Sequence, residues 1–363
     1  MELTIKTQTL QELVSKSFQC VSNNKLIPIT SLMNIKVKEN KLTLTTTDAS
    51  NYFYVTCEDK FDCEDFEISI LAEIFTKLVQ KITAQDITLK IVDAILEVHG
   101  NGTYKIEMPL DENGGIIKFP SKLPENEPEP TGDIKLSTVN TILNYNKPAL
   151  AISMELPSLT NYYCGDKVVT TDQYKICSTN IKMFDKEQLL ITPQLMELLG
   201  IMSEETINYA ITESYILFWD KYDTIFAPRT EGIETFPIAA CNGLIDSNFK
   251  SKCQLSRTAV EDVLSRLSLF VSPYDKKGIY LTFTKDGLMF SSKKSSGTET
   301  VPYISSLDFS DFTCCIDVEM LKSQISAQSG EAIEIHYGFD KALKMVDRNI
   351  IQIVAFMQDD RGV

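Results

Sequence analysis

The chain has 363 residues, 50 acidic against 35 basic, a formal charge of −15, 43% hydrophobic content and nine cysteines. That length suits two or three domains, and its apolar runs fall short of the roughly 18 residues of a membrane span. An odd cysteine count without a C-x-x-C pair argues against a disulfide framework or zinc site and for buried reduced thiols. With no basic, then apolar, then small-residue leader pattern, the expectation is a cytoplasmic protein without a membrane partner.

From the N-terminus, ELTIKTQ alternates as a strand, and Thr9 with Glu12 three residues on has capping-box spacing for a helix over 10–23. Leu10, Leu13, Val14, Phe18 and Val21 recur at three- and four-residue spacing and make one apolar face, with Lys16 off it. NIKVKENKLTLTTTD and NYFYVTCE read as strands of period two, broken by turn formers at Glu39-Asn40 and Asp48-Ala49-Ser50. A second helix over 71–82 turns Ile70, Ile74, Leu78 and Ile82 to one side and Glu73, Lys77 and Lys81 to the other. DITLKIVDA, ILEVHG and YKIEMPL then add three short strands.

This order is written three times. After the proline-rich acidic linker PSKLPENEPEPTGD (120–133), the first strand and helix return as GDIKLSTVNTILNY (132–145) and SKCQLSRTAVEDVLSRLSLF (251–270). The second helix returns as LLITPQLMELLGIM (189–202) and CCIDVEMLKSQISA (314–327). Ile70, Ile191 and Ile316 open the second helices 121 and 125 residues apart, a period of domain size. FPIAACNGLIDSNFK (236–250) is less polar than a linker and is expected to pack in part. AIEIHYG, ALKMVDR and IIQIVAFM close the last copy. The prediction is an α+β protein of three similar domains, 1–127, 128–249 and 250–363, each with two helices on one face of antiparallel sheets.

Catalytic chemistry finds no constellation. The two histidines, His99 and His336, lie in strand patterns without metal-ligand or nucleophile spacing. Asp48 and Asp172 recur at the same place in successive copies, which suits turn capping rather than an acid and base pair. No catalytic residue, metal or cofactor is expected. The six helices together hold seven basic and six acidic residues, so they are spared the acidity of the chain.

The segments LQELVSKSFQCVSNNKLIPIT and KLTLTTTD, then KVVTTDQYKIC and EGIETFPI, then SPYDKKGIYLTFTKDGLMFSS and QIVAFMQ follow one another along the whole length. In order and spacing they resemble the bacterial DNA polymerase III β subunit, the sliding clamp. The chain departs from that family at Gln173, Tyr174 and Lys175, where the pattern is Gly-His-Arg, and at Phe356, where a proline is usual. It also runs a few residues past the usual end, and so resembles a divergent member, of phage or mobile-element type.

The resemblance implies a DNA-clamp fold assembled as a head-to-tail homodimer into a closed ring around double-stranded DNA. Such a ring binds without sequence preference and without catalysis, and a separate clamp loader hydrolyses ATP to open it. Lys16, Lys25, Lys77, Lys81, Lys147, Arg257, Arg266 and Lys322 would face the DNA. Ile106 and Met108 would meet Phe270 and Val271 across the dimer boundary. A cleft formed by Leu159, Thr171, Tyr174, Lys175, Ile176, Pro237, Ile353, Ala355, Phe356 and Met357 would take short linear motifs of DNA polymerase and clamp-loader subunits. Its aliphatic walls would hold leucine and phenylalanine anchors, with a lysine at the rim. The alternative is a clamp-like ring that recruits repair or transcription factors.

Overall fold

The computed structural model describes every residue except 112, 113, 116, 118, 126, 127, 272–276, 294, 295 and 359–363. Parts of the segment SPYDKKGIYLTFTKDGLMFSS and the residues at the C-terminal end that run past the usual one therefore lie outside the described residues. The chain folds as two compact units, Met1–Val139 with Gln194–Arg229, and Asn140–Pro193 with Thr230–Val363. Each unit takes part of the middle copy.

The first unit holds an eight-stranded antiparallel sheet in the order Phe66–Leu71, Leu32–Lys38, Lys41–Thr47, Tyr52–Lys60, Asp223–Pro228, Tyr215–Trp219, Thr206–Ile211 and Gly132–Lys135. First and second copies join where Asp223 to Phe226 pair with Val55 to Tyr52. A second sheet orders Glu2–Lys6, Asp86–Val92, Ile95–His99 and Thr103–Glu107. In the other unit a nine-stranded sheet joins the second and third copies, with Lys175–Thr179 antiparallel to Ile350–Ala355. Its companion is the four-stranded sheet Thr298–Pro302, Gly287–Ser292, Gly278–Phe283 and Phe312–Asp317.

Among the described residues the α-helices are α1 Thr7–Ser17, α2 Ala72–Val79, α3 Leu136–Asn146, α4 Pro193–Leu199, α5 Ile238–Ile245, α6 Arg257–Leu267 and α7 Val318–Ser326. Six answer to the predicted helices, and α5 is the packed part of the 236–250 segment. The expected cap at Thr9 is corrected: α1 begins at Thr7, its N-cap is Lys6, and no side chain caps it. The preceding strand runs directly into the helix, so a neighbouring strand's chain supplies the missing acceptor. Thr7 N donates to Gln85 O at 3.0 Å, and the same contact recurs from Leu136 to Glu205 and from Arg257 to Glu331, both at 2.9 Å. Side-chain caps appear at the third copy's helices, where Ser256 accepts from Ala259 N and Asp317 from Glu319 N and Met320 N.

The apolar face predicted for α1 closes onto the sheets, whereas that predicted for α2 is corrected: Ile74 is 53% exposed and Leu78 half-buried, Ile70 belongs to the preceding strand, and the helix turns Ala72, Phe75 and Val79 inward instead. Leu10 and Val14 of α1 and Phe75 and Val79 of α2 are fully buried with Ile35, Leu44, Leu89 and Val98 in one core. Gln11 and Gln80 cross-link the two helices: Gln11 Nε2 donates to the Val79 and Ile82 carbonyls at 3.0 Å, and Gln80 Nε2 to the Gln11 carbonyl at 2.9 Å. All nine cysteines are free, and eight are buried, with Cys63 half-buried.

One turn is built twice with the same atoms. Thr47 Oγ1 donates to Asn51 O at 2.6 Å and Thr171 Oγ1 to Lys175 O at 2.7 Å. Asp48 Oδ1 accepts from the amides of Ser50 and Asn51, and Asp172 Oδ1 from those of Tyr174 and Lys175. These are the turn-capping roles expected of the two aspartates. The residue after each aspartate is left-handed, Ala49 at φ 88° and Gln173 at φ 77°, in a region where a Cβ costs about 1–2 kcal/mol. Ala49→Gly and Gln173→Gly should therefore each stabilise the fold by about 0.5–1 kcal/mol after glycine's own entropy is counted, read as a higher urea midpoint at unchanged slope.

Candidate nucleic-acid and peptide interfaces

The cations assigned to DNA fall into two groups. Lys16 sits on α1 with only 19% of its side chain exposed, and its ammonium pairs with the fully buried carboxylate of Asp223 while donating to Ser203 Oγ at 2.6 Å. Asp223 also accepts from Ser203 N at 2.7 Å, and Asp220 accepts from the amides of Ser203 and Glu204 at 2.9 Å. Burial pushes the Asp223 carboxyl up, and Lys16 opposes that shift. Lys16 thus ties α1 to the middle copy's hairpin. Arg257 is held too, donating to Gly330 O at 2.8 Å and to Glu261 at 2.9 Å with a quarter of its side chain exposed. Lys322 is half-buried on α7.

Lys25, Lys77, Lys81, Lys147 and Arg266 have exposed side chains. Lys77 meets Glu73 at 2.5 Å one helical turn away, and Arg266 makes a two-pronged contact with Glu299 at 2.7 and 2.9 Å. Ion pairs this open to solvent contribute little and leave the cation able to exchange partners. No multi-ligand metal cluster occurs among the described residues.

The edge residues separate as well. Thr103–Glu107 is an edge strand of its sheet, but Ile106 and Met108 are only 6% and 4% exposed, in the core of their own unit. Their expected place against a partner's Phe270 is therefore corrected. What this edge presents outward is its backbone with Thr103, Lys105 and Glu107 on the face away from Ile106, while Tyr104, on Ile106's side of the strand, is 40% exposed. In the third copy Phe270 is 54% exposed and its neighbour Leu269 81%, while Val271 packs on the core. The spacing within LSLF, past the last helical turn, was the available signal for Leu269.

Of the cleft residues, Leu159, Ile176 and Ile353 share one buried cluster with Phe236, Cys241 and Ile245. Ile176 and Ile353 are cross-strand partners. Thr171 is buried in the repeated turn. Lys175 is not a rim cation: its side chain is 13% exposed, donates to Pro148 O at 2.6 Å and lies 3.3 Å from Asp172. Tyr174 takes the rim instead, 61% exposed, with its carbonyl accepting from Ala355 N at 2.8 Å. Pro237 is the N-cap of α5.

Phe356 and Met357 are placed apart from that cluster. Along the final strand Ile353 faces one side and Val354 and Phe356 the other, so the Phe356 ring lies 5.8 Å from Phe312. Both residues line a different cavity of about 420 Å³ with Phe312, Cys315 and Lys341. A single list of cleft residues read off sequence cannot carry that change of face. Sequence reasoning also missed α5, whose Cys241 and Ile245 complete the cluster, although a proline before an apolar run was a usable start signal. Lys344 was missed too. It donates to Ile245 O, the last carbonyl of α5, at 2.8 Å, and its burial beside Phe249 pushes the amine down.

Residues 1–112 match the family described as DNA polymerase III beta subunit, N-terminal domain. No curated protein matches the chain. Among solved structures the chain is similar to the DNA polymerase sliding clamp of Bacillus subtilis, with TM-score 0.84 and 17% identity over 99% of both chains. It is similar to the DNA polymerase III beta chain of Streptococcus pneumoniae, with TM-score 0.85 and 15% identity over 99% of this chain and 100% of that one. DNA polymerase III subunit beta of Borrelia burgdorferi gives TM-score 0.84 and 18% identity over 99% of both. The chain therefore has the α+β clamp fold from end to end.

Lys16→Met should cost about 3 kcal/mol, because it strands a buried carboxylate, whereas Lys81→Met should stay within about 0.5 kcal/mol. The Lys16→Met deficit should shrink as pH falls. A carboxyl whose folded pKa lies above its unfolded one stabilises the fold while protonated and loses that contribution as pH rises through the folded pKa. Urea unfolding across the acid range reads both effects.

Proposed function

We infer that the chain is a divergent member of the bacterial β-clamp family and works as a DNA sliding clamp, a non-catalytic processivity factor for DNA polymerase. One observation carries this: a sequence match to the family's N-terminal domain over 1–112 in a chain that has the clamp fold throughout. The domains are read as 1–127, 128–249 and 250–363, in keeping with the repeat. Two copies joined head to tail, each donating its first-copy edge to the other's third-copy edge, would close a ring in which duplex DNA is held by topology. Leu269 and Phe270 are the apolar residues offered to that joint.

Retention by topology relieves each phosphate contact of the need to be strong. Lys25, Lys77, Lys81, Lys147 and Arg266 suit weak, exchangeable contacts, while the −15 of the chain discourages DNA from binding elsewhere. Lys16 and Arg257 act one step back by holding the helices in place. The docking place for apolar anchors of polymerase and loader motifs would lie over the buried cluster of Leu159, Ile176 and Ile353, with exposed Tyr174 at its rim. None of the matches favours recruitment of repair or transcription factors instead. The protein works in the cytoplasm, on DNA.

The protein loaded on nicked circular DNA should stay bound through gel filtration and be lost when the circle is linearised; equal loss from both would overturn the ring. Reversing the five exposed cations to glutamate should flatten the salt dependence of DNA binding while leaving the fold intact by circular dichroism. Leu269→Glu with Phe270→Glu should yield soluble monomers by light scattering, where the unaltered chain gives dimers.

A further inference from the structure

We propose that the outer face of the first copy's sheet, between the Lys38–Lys41 hairpin and residues 119–123, is a second docking pocket, for an acidic peptide carrying one apolar anchor. Alternation creates the face. Ile35, Val37, Leu42 and Leu44 enter the core, so Asn34, Lys36 and Lys38 on one strand and Lys41, Thr43 and Thr45 on the next point the other way, into a cavity of about 330 Å³. That volume is at the small end of ligand pockets, roughly 300–1,000 Å³, and suits a single anchor side chain.

The pocket is two-sided in chemistry. Its floor is polar and rigid: Asn34 is 2% exposed and its amide donates to Ile68 O and Glu67 at 3.3 Å. One wall is apolar, built from Tyr54, Phe119 and Leu123, with Leu123 38% exposed. The opposite rim carries Lys36, Lys38 and Lys41. Lys36 is paired with Glu67 at 2.9 Å, but Lys38 reaches only its exposed neighbour Glu39, at 3.9 Å, and Lys41 is exposed. The lining sets Lys36, Lys38 and Lys41 against Glu39 and Glu67, a balance of one positive charge in a chain of charge −15, and with Glu67 taken by Lys36 that surplus favours an anionic ligand. The apolar wall beside them requires that the ligand also bury carbon.

The protein already shows that this face accepts extended polypeptide. Residues 119–123 lie on it, with the Phe119 ring edge-on to Tyr52 at 6.4 Å and Lys122 N donating to Tyr54 Oη at 3.1 Å. A partner peptide would lie alongside that segment, its acidic residues at the lysine rim and its anchor against Phe119 and Leu123. This pocket depends neither on ring closure nor on the cleft of the second unit, so its failure leaves the clamp reading untouched.

The test uses the full chain and a fluorescent octapeptide of aspartate and glutamate with one central phenylalanine, read by anisotropy. Support is saturable binding that weakens at least tenfold with serine in place of phenylalanine and at least tenfold in Lys38→Glu with Lys41→Glu. Lys6→Glu with Lys90→Glu, an equal charge change at exposed lysines elsewhere, should leave affinity within twofold. The proposal falls if the phenylalanine peptide shows no binding at millimolar protein, if the serine peptide binds as well, or if both charge reversals act alike. It falls equally if a single-stranded oligodeoxynucleotide binds the same lysines more tightly and displaces the peptide, which would make this a nucleic-acid site. Circular dichroism and urea midpoints matching the parent show that the exposed substitutions left the fold in place.

Discussion

Backbone hydrogen bonding between strands of different copies is the constraint from which the rest follows. A strand at the edge of a sheet leaves a row of donors and acceptors unpaired. Here Tyr52–Lys60 finds its partner in Asp223–Pro228, and Lys175–Thr179 finds its own in Ile350–Ala355. Those two joins make sheets of eight and nine strands out of pieces from successive copies. They also draw the middle copy into both compact units. The buried Lys16 and Asp223 pair sits at the first join, where it fixes α1 against the incoming hairpin. The Ile176 and Ile353 pair sits at the second, within the buried cluster that includes Leu159 and Phe236.

The distribution of charge follows from where helices can stand on such sheets. One face of each helix is taken by the core, which leaves short polar faces for cations such as Lys77, while Lys81 stands in the turn just past α2. The acidic residues that dominate the chain are placed on strands, turns and linkers. A binding surface built from near-neutral helices can hold DNA loosely.

The chain's departures from the family pattern acquire physical meaning in the folded protein. Gln173 keeps a left-handed backbone that glycine would adopt without strain, so the turn is preserved by its Thr171 and Asp172 contacts rather than by its central residue. Tyr174 becomes the exposed rim of the cleft, while Lys175 turns inward to Pro148 and Asp172. Phe356 faces the other side of its strand from Ile353 and packs at a tilt against Phe312. These shifts leave Tyr174 as the exposed aromatic residue beside the buried cluster of Leu159, Ile176 and Ile353.

Periodicity alone determined the threefold repeat, the helices and the apolar face of α1, the alternating strands, the buried thiols and the turn aspartates, while the buried face of α2 was decided by the core it meets. Each of these depends on residues a few positions apart, and local spacing decides which face a side chain takes. Tertiary structure decided what becomes of a side chain once its face is chosen. Lys16 and Lys77 read alike as off-face helix lysines, but only Lys16 meets a buried carboxylate from more than two hundred positions away. Ile106 and Met108 read as edge residues until the core beneath that strand claims them, and Thr9 reads as a cap until the adjoining chain supplies a carbonyl to Thr7. Pairing between distant segments, with the desolvation it brings, lies outside any local window, and it settles which charges remain free to act.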